Sequence, residues 1–232
     1  MNREFDSILE ELSRLYLRLN GFINQNLIIH SGKKGESCGE LDIIGIRLPF
    51  HLQKDREVDT SPILEVSKKR IQIIVGDCKN YKNRNDLEFS PIRKNRECIE
   101  KLINWIGLQE KGDEALIEKF ESCLNVHRNK KIIGFPTIEL DRSYGKFDIK
   151  FIFFCPSLEK WDGTGFKYIH GQEIFDFIFQ CLNKFDEKKH CSKTYNYENW
   201  NNFEWIIRYF KGRTSSGTID DFEKEYNNHL TS

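Results

Sequence analysis

No run of roughly 18 apolar residues occurs in the 232-residue chain, and Met1-Asn2-Arg3-Glu4-Phe5-Asp6 lacks the basic start and apolar stretch of a secretory signal. A membrane span and a secretory leader are therefore not expected, and the expected location is the cytoplasm. Paired cysteines are missing too. Cys38, Cys78, Cys98, Cys123, Cys155, Cys181 and Cys191 are odd in number, scattered and without a CxxC pair, which argues against a disulfide framework and a zinc site. His30, His127 and His170 stand apart, with no HxH or HExxH spacing. A P-loop, a GxGxxG fingerprint and a nucleophile elbow are all absent, so ATP hydrolysis, dinucleotide redox and serine-hydrolase chemistry have no support. No internal repeat or low-complexity run is present. Net charge is missing as well: 36 basic residues balance 36 acidic ones, leaving no global field to hold a polyanion.

What is present is an ordinary globular composition, enough to bury a substantial core. One local charge excess stands out between Lys68 and Lys101, where ten Lys or Arg face five Asp or Glu. Phe5, Ile8, Leu9, Leu12, Leu15, Tyr16 and Leu19 recur at helical spacing and stop at Asn20-Gly21, a pair suited to a left-handed cap. Two strands are expected at Phe22 to Ile29 and Leu41 to Ile46, with a polar turn from Ser31 to Ser37 between them. Leu48 to Arg70, with Pro49 and Pro62, reads as a long surface connection or a small inserted element. Ile71 to Lys79 is an apolar run ending abruptly in charge, the pattern of a buried central strand emerging at an edge.

Pro91 is expected to start a helix running through Lys101, Leu102, Trp105 and Ile106, and Asp113 to Leu124 to form another. Lys131 to Glu139 and Phe147 to Cys155 read as a hairpin, and Ile174 to Leu182 as a helix closing on the sheet. From Tyr195 to Phe210 aromatic residues crowd together before a glycine-bounded turn and an acidic, polar tail. They suit core packing or a subunit interface. The chain divides on this reading into a domain over 1–182 and an aromatic-rich extension over 183–232. The order of elements is that of a mixed α/β sandwich.

Chemistry is concentrated in two places. Gly39-Glu40-Leu41-Asp42-Ile43-Ile44-Gly45 sets a carboxylate in an apolar strand, and Val75-Gly76-Asp77-Cys78-Lys79 sets a second carboxylate and an amine on another. Side chains alternate along a strand, so Asp77 and Lys79 share a face and Cys78 turns away; if the strands are neighbours, Asp42 meets that face. Two close carboxylates with an all-oxygen donor set suit Mg²⁺ or Mn²⁺. The bland reading of the same residues is an ion-pair cluster at a sheet edge that needs no metal.

This pattern resembles the PD-(D/E)xK superfamily, the nucleases of the restriction-endonuclease-like fold that include Mrr-type enzymes and archaeal Holliday-junction resolvases. The resemblance spans roughly the first 180 residues. It implies a three-layer sandwich with a central mixed β-sheet flanked by helices, and a metal-dependent endonuclease acting on DNA. Its catalytic trio falls on Asp42, Asp77 and Lys79, with Cys78 offering its backbone carbonyl to the metal. A first-helix carboxylate falls on Glu10, with Glu11 as a rival, and a basic residue on the following helix on Lys94. Three departures mark the match: a 35-residue gap from Asp42 to Asp77, Asp rather than Glu before Cys78-Lys79, and Glu40 just ahead of Asp42. Lys82 and Arg84, past the Asp-x-Lys, are expected to contact phosphates, with Tyr81 beside them to stack on a base. A homodimer, joined through the aromatic C-terminal region, would let two single-strand cuts make a double-strand break. The alternative from another class is a nucleic-acid-binding or assembly module that keeps the fold without the metal.

Overall fold

The structure is a computed structural model. It describes residues 3–231 except 33, 53–57, 82, 84, 86, 90, 109, 111–112, 127–132, 159 and 184–199. The first helix, α1 (Arg3–Leu19), buries Phe5, Ile8, Leu9, Leu12, Leu15, Tyr16 and Leu19 along one stripe. It stops where the sequence places the stop. Gly21 adopts φ 85°, and a Cβ there would stand 2.6 Å from the His51 ring, so glycine meets both a backbone and a space requirement.

Two antiparallel strands follow, β1 (Ile23–His30) and β2 (Ser37–Arg47), the second longer at both ends than its apolar stretch suggests. β3 (Ile71–Cys78) pairs antiparallel with β2 and parallel with β5 (Gly145–Cys155). β4 (Thr137–Arg142) forms the expected hairpin with β5, and β6 (Tyr168–His170) adds parallel to the far end of β5. The six-stranded mixed sheet runs β1-β2-β3-β5-β4, with β3 in the middle. The expected first arm of the hairpin begins at Lys131, whereas β4 begins at Thr137; 127–132 lie outside the described residues, His127 with them.

Register sorts side chains onto two faces. Ile44, Val75 and Phe151 stand side by side, and they join α2 (Arg96–Trp105) and α3 (Glu114–Leu124) in one hydrophobic core. One position along, Ile43, Gly76 and Ile152 face the opposite core, built with α1 and α4 (Gly171–Leu182). The molecule is thus α/β, with helices against both faces of the sheet. No described helix is long and apolar enough to cross a membrane.

One local expectation needs correction, and two segments left open by the sequence take definite form. Pro91 opens a 3-10 turn (Pro91–Lys94), not α2; the helix begins after Asn95, whose side chain accepts from the Glu97 N–H at 3.0 Å and caps it. Of the two readings of the Leu48 to Arg70 connection, the structure fits the small inserted element: a 3-10 turn (Pro62–Leu64) that buries Leu64. Buried Lys150 donates to the carbonyls of Leu64 (2.6 Å) and Glu65 (3.0 Å), and Lys167 donates to that of Ile63 (3.2 Å), so two lysines close its C-terminal end. The polar tail is a helix, α6 (Ile219–Leu230), started by a capping box between Thr218 and Asp221. With α5 (Glu204–Lys211) it packs on the α1/α4 core: Phe222 is fully buried among Phe5, Phe175, Trp205 and Tyr209. Six cysteines lie among the described residues as thiols, and Cys191 lies outside them.

Candidate active site

β2 and β3 are neighbours, and their register of Ile43 on Gly76 carries Asp42 to the side of Asp77. Close approach there depends on Gly76. A Cβ at that position would stand 3.0 Å from the Phe154 ring and 3.1 Å from the Ile43 Cβ. Asp42 Oδ2 accepts a 2.7 Å hydrogen bond from the Cys78 N–H, and the Lys79 N–H donates to the Phe154 carbonyl at 2.8 Å. The end of β3 is therefore held on both sides. Cys78 turns away from the carboxylates as strand alternation requires, its Sγ 3.6 Å from the Ser13 Oγ on α1.

Asp77 is completely buried, and its Oδ2 lies 2.9 Å from the Lys79 Nζ. Burial pushes its carboxyl well above the usual carboxylate range, and a hydrogen bond with the Asp42 carboxyl adds to the rise; the Lys79 charge opposes it. For Lys79, burial works against the charged amine, but the adjoining Asp77 carboxylate prevails and holds its pKa above the ordinary lysine value. Glu10 reaches in from α1. Burial raises it to about 7, the Asp42 charge contributes next, Arg14 opposes, and Glu40 and Glu11 add smaller increments. Asp42 thus links the two groups electrostatically: with Asp77 it acts on the Lys79 amine, and it also raises Glu10.

Glu10, Asp42 and Lys79 line a cleft of about 240 Å³ together with Asp6, Leu9, Cys78, Asn80 and Tyr81, and the fully buried Asp77 lies behind that lining. The Asn80 amide donates to Asp6 Oδ1 at 3.2 Å and accepts from the Ser157 hydroxyl, so the loop leaving β3 is tied to α1 and to the loop after β5. Asp6, Asn80 and Ser157 were not singled out from the sequence. Asp6 carried a signal, lying one helical turn before Glu10, and Asn80 directly follows Lys79.

The rivalry on α1 resolves geometrically. Glu10 lines the cleft, whereas Glu11 pairs with Arg14 at 2.7 Å and accepts from the Asn202 amide at 3.2 Å on another side of the helix. Lys94 is exposed on the 3-10 turn before α2 and does not line the cleft. Lys82 and Arg84 lie outside the described residues. His170 has a structural duty, its Nδ1 accepting from the Glu173 N–H at 3.3 Å to cap α4. Glu40 is exposed and acts on the site only through its charge.

Among the described residues, no three His, Cys, Asp or Glu side chains are gathered into a ready-made metal-binding group. Asp42 and Asp77 share a hydrogen bond and Asp77 holds Lys79, so the carboxylates are engaged with protein partners. In kind, the donor set suits a hard divalent cation: it is all oxygen, and a cation's charge would counter the burial, and secondarily the neighbouring carboxylates, that raise Asp77 and Glu10. Comparison with family models, curated proteins and solved structures returned no match.

Proposed function

We propose that this chain is a metal-dependent endonuclease of the PD-(D/E)xK type, on a restriction-endonuclease-like three-layer sandwich, hydrolysing phosphodiester bonds in DNA. One observation supports the reading above all: Asp42 from β2, Lys79 from the end of the adjacent β3 and Glu10 from α1 line one cleft, with buried Asp77 directly behind, paired with Lys79. Asp42, Asp77 and Glu10 would hold Mg²⁺ or Mn²⁺, with the Cys78 backbone carbonyl as a further oxygen donor. Bound there, the cation supplies charge neutralisation at the scissile phosphate and a more acidic water. Lys79 orients the attacking water and steadies the oxygens on which charge develops, and the buried Asp77 fixes its amine in place. Leu9 and the half-buried Tyr81 supply apolar surface to the cleft.

The test is cleavage of plasmid, linear, single-stranded and branched DNA, with RNA alongside, in Mg²⁺, Mn²⁺ and EDTA. Asp77→Asn and Lys79→Ala are each expected to lower the rate by about two orders of magnitude or more, and EDTA to abolish it. Metal-independent cleavage, or full activity in both variants, defeats the proposal.

A second reading draws on the absence of a preassembled three-ligand group among the described residues. On it, the fold binds nucleic acid without metal, and the Asp77–Lys79 pair is structural. Binding in Mg²⁺ without cleavage, unaltered by Asp77→Asn and with no Mn²⁺ uptake by calorimetry, selects this reading.

A further inference from the structure

The seven cysteines are scattered along the sequence, but the fold brings two of them together. Cys38 lies near the start of β2, and Cys98 lies in the first turn of α2. Contacts around the pair fix these two elements against each other. On the β2 side, a Cβ at Gly39 would stand 3.3 Å from the Ile92 backbone nitrogen, in the turn that leads into α2. On the α2 side, the Gly32 N–H donates to the Glu97 carboxylate, and the Lys101 ammonium donates to the His30 carbonyl at 3.1 Å. His30 in turn pairs with Ser37, next to Cys38. Cys98 is a fully buried member of the α2/α3 core, Cys38 is half-buried against that core, and the two thiols share a hydrogen bond.

The two thiols differ in reach and in acidity. Cys38 is partly open to solvent, whereas Cys98 is closed off, and burial foremost pushes its thiol up to about 12. The Lys101 ammonium, one turn further along α2, acts on both sulfurs by charge and favours their thiolate forms. A half-buried sulfur that a small oxidant can reach thus sits against a second sulfur that the oxidant cannot.

We propose that Cys38 and Cys98 are an oxidisable dithiol, a modification site that takes hydrogen peroxide and closes into a disulfide stapling β2 to α2. The Cys38 sulfur attacks one peroxide oxygen, the O–O bond breaks, the released hydroxide leaves as water with the Cys38 proton, and Cys38 becomes a sulfenic acid. The Cys98 sulfur then attacks that of Cys38; the S–S bond forms, the S–O bond breaks, and a second water leaves with the Cys98 proton. The dithiol gives up a pair of electrons and a pair of protons, and the peroxide is reduced to water. Because the side chains already meet, closure calls for side-chain rotation and not for movement of an element. Asp42 follows Cys38 on the same strand, so the bond anchors the strand that carries this carboxylate. Scattered cysteines argue against a framework of disulfides on which folding depends, and a bridge made by oxidation of a finished fold is a different device.

The inference does not depend on the nuclease reading, because its test measures mass and thermal stability and not cleavage. The full chain is treated with hydrogen peroxide, its remaining thiols are blocked under denaturing conditions, and it is digested without reductant for mass spectrometry. A Cys38–Cys98 cross-linked peptide is expected, lighter by about 2 Da than its reduced parts together and separated by dithiothreitol. The oxidised protein is expected to melt about 5–15 °C higher than the reduced one, since the bridge closes a long loop in the unfolded chain. Cys38→Ser, which leaves the core thiol in place, is expected to abolish both the cross-link and the rise. An unmodified pair, Cys38 carried on to sulfinic acid with Cys98 still a thiol, or a bridge from either one to another cysteine overturns the proposal. So does a rise in melting temperature that survives in Cys38→Ser.

Discussion

At the scale of single residues the site is a competition between burial and charge. Asp77 is fully buried beside another carboxyl, and one lysine offsets only part of the combined cost. A divalent cation bound to the folded chain alone stabilises it by mass action, about 2.7 kcal/mol at a hundredfold excess over Kd, or roughly 5–10 °C in a chain of this size. We expect Mn²⁺ to raise the melting temperature of the wild type by an amount of that order and to leave Asp77→Asn and Asp42→Asn unmoved; differential scanning fluorimetry measures both. An equal rise in all three proteins places metal binding elsewhere. Asp42, Asp77 and Lys79 were legible in the sequence because two-residue alternation and a charged end to an apolar run are properties of the chain itself. Glu10 and Glu11 were not separable there. Adjacent helix positions differ by about 100° in direction, and only the seating of α1 on the sheet decides which one reaches the cleft.

At the scale of elements, local chemistry foretold existence better than limits. α1 ends where Asn20-Gly21 says it ends, but α2 obeys the Asn95 cap and not Pro91, because an accepting side chain satisfies an N–H that proline merely lacks. α4 depends on an unusual cap, and the cap titrates. His170 accepts through Nδ1 and must be neutral there; burial foremost lowers its pKa below the ordinary 6.5, with the Glu173 charge opposing, Lys160 adding to the fall and Asp176 opposing weakly. The unfolded chain takes up this proton first as pH falls. Stability from the cap is therefore complete above about pH 6.5 and is lost as pH drops toward the lowered folded value, at most about 1.4 kcal/mol per pH unit. His170→Asn keeps an acceptor that does not titrate, so its melting temperature is expected to fall less than that of the wild type between pH 7 and the acidic side of that window. Parallel slopes for the two proteins refute this role.

The whole molecule rests on two cores separated by one sheet, and the C-terminal helices belong to one of them. Phe222 lies far from α1 in sequence yet packs on Phe5, Phe175, Trp205 and Tyr209. Phe222→Ala is expected to cost about 3–5 kcal/mol, read as a lower denaturant midpoint with little change in slope. A loss below about 1 kcal/mol means that α6 is a detachable appendage and contributes little to the core. Aromatic crowding after Tyr195 announced burial of some kind, but not its partner, since a core and a subunit interface select the same side chains.

From the sequence alone follow the α/β class, the buried central strand, the amphipathic first helix and the shared face of Asp77 and Lys79. Each depends on periodicity or on turn residues a few positions apart, which are local properties of a chain. Tertiary structure decided that β3 lies between an antiparallel and a parallel neighbour and that Glu10 joins the carboxylates while Lys94 stays away. It also brought Asp6 and Asn80 to the cleft and left β1 as the uncharged edge. These are relations between segments tens to hundreds of residues apart, set by which apolar faces bury one another, and no local pattern encodes them.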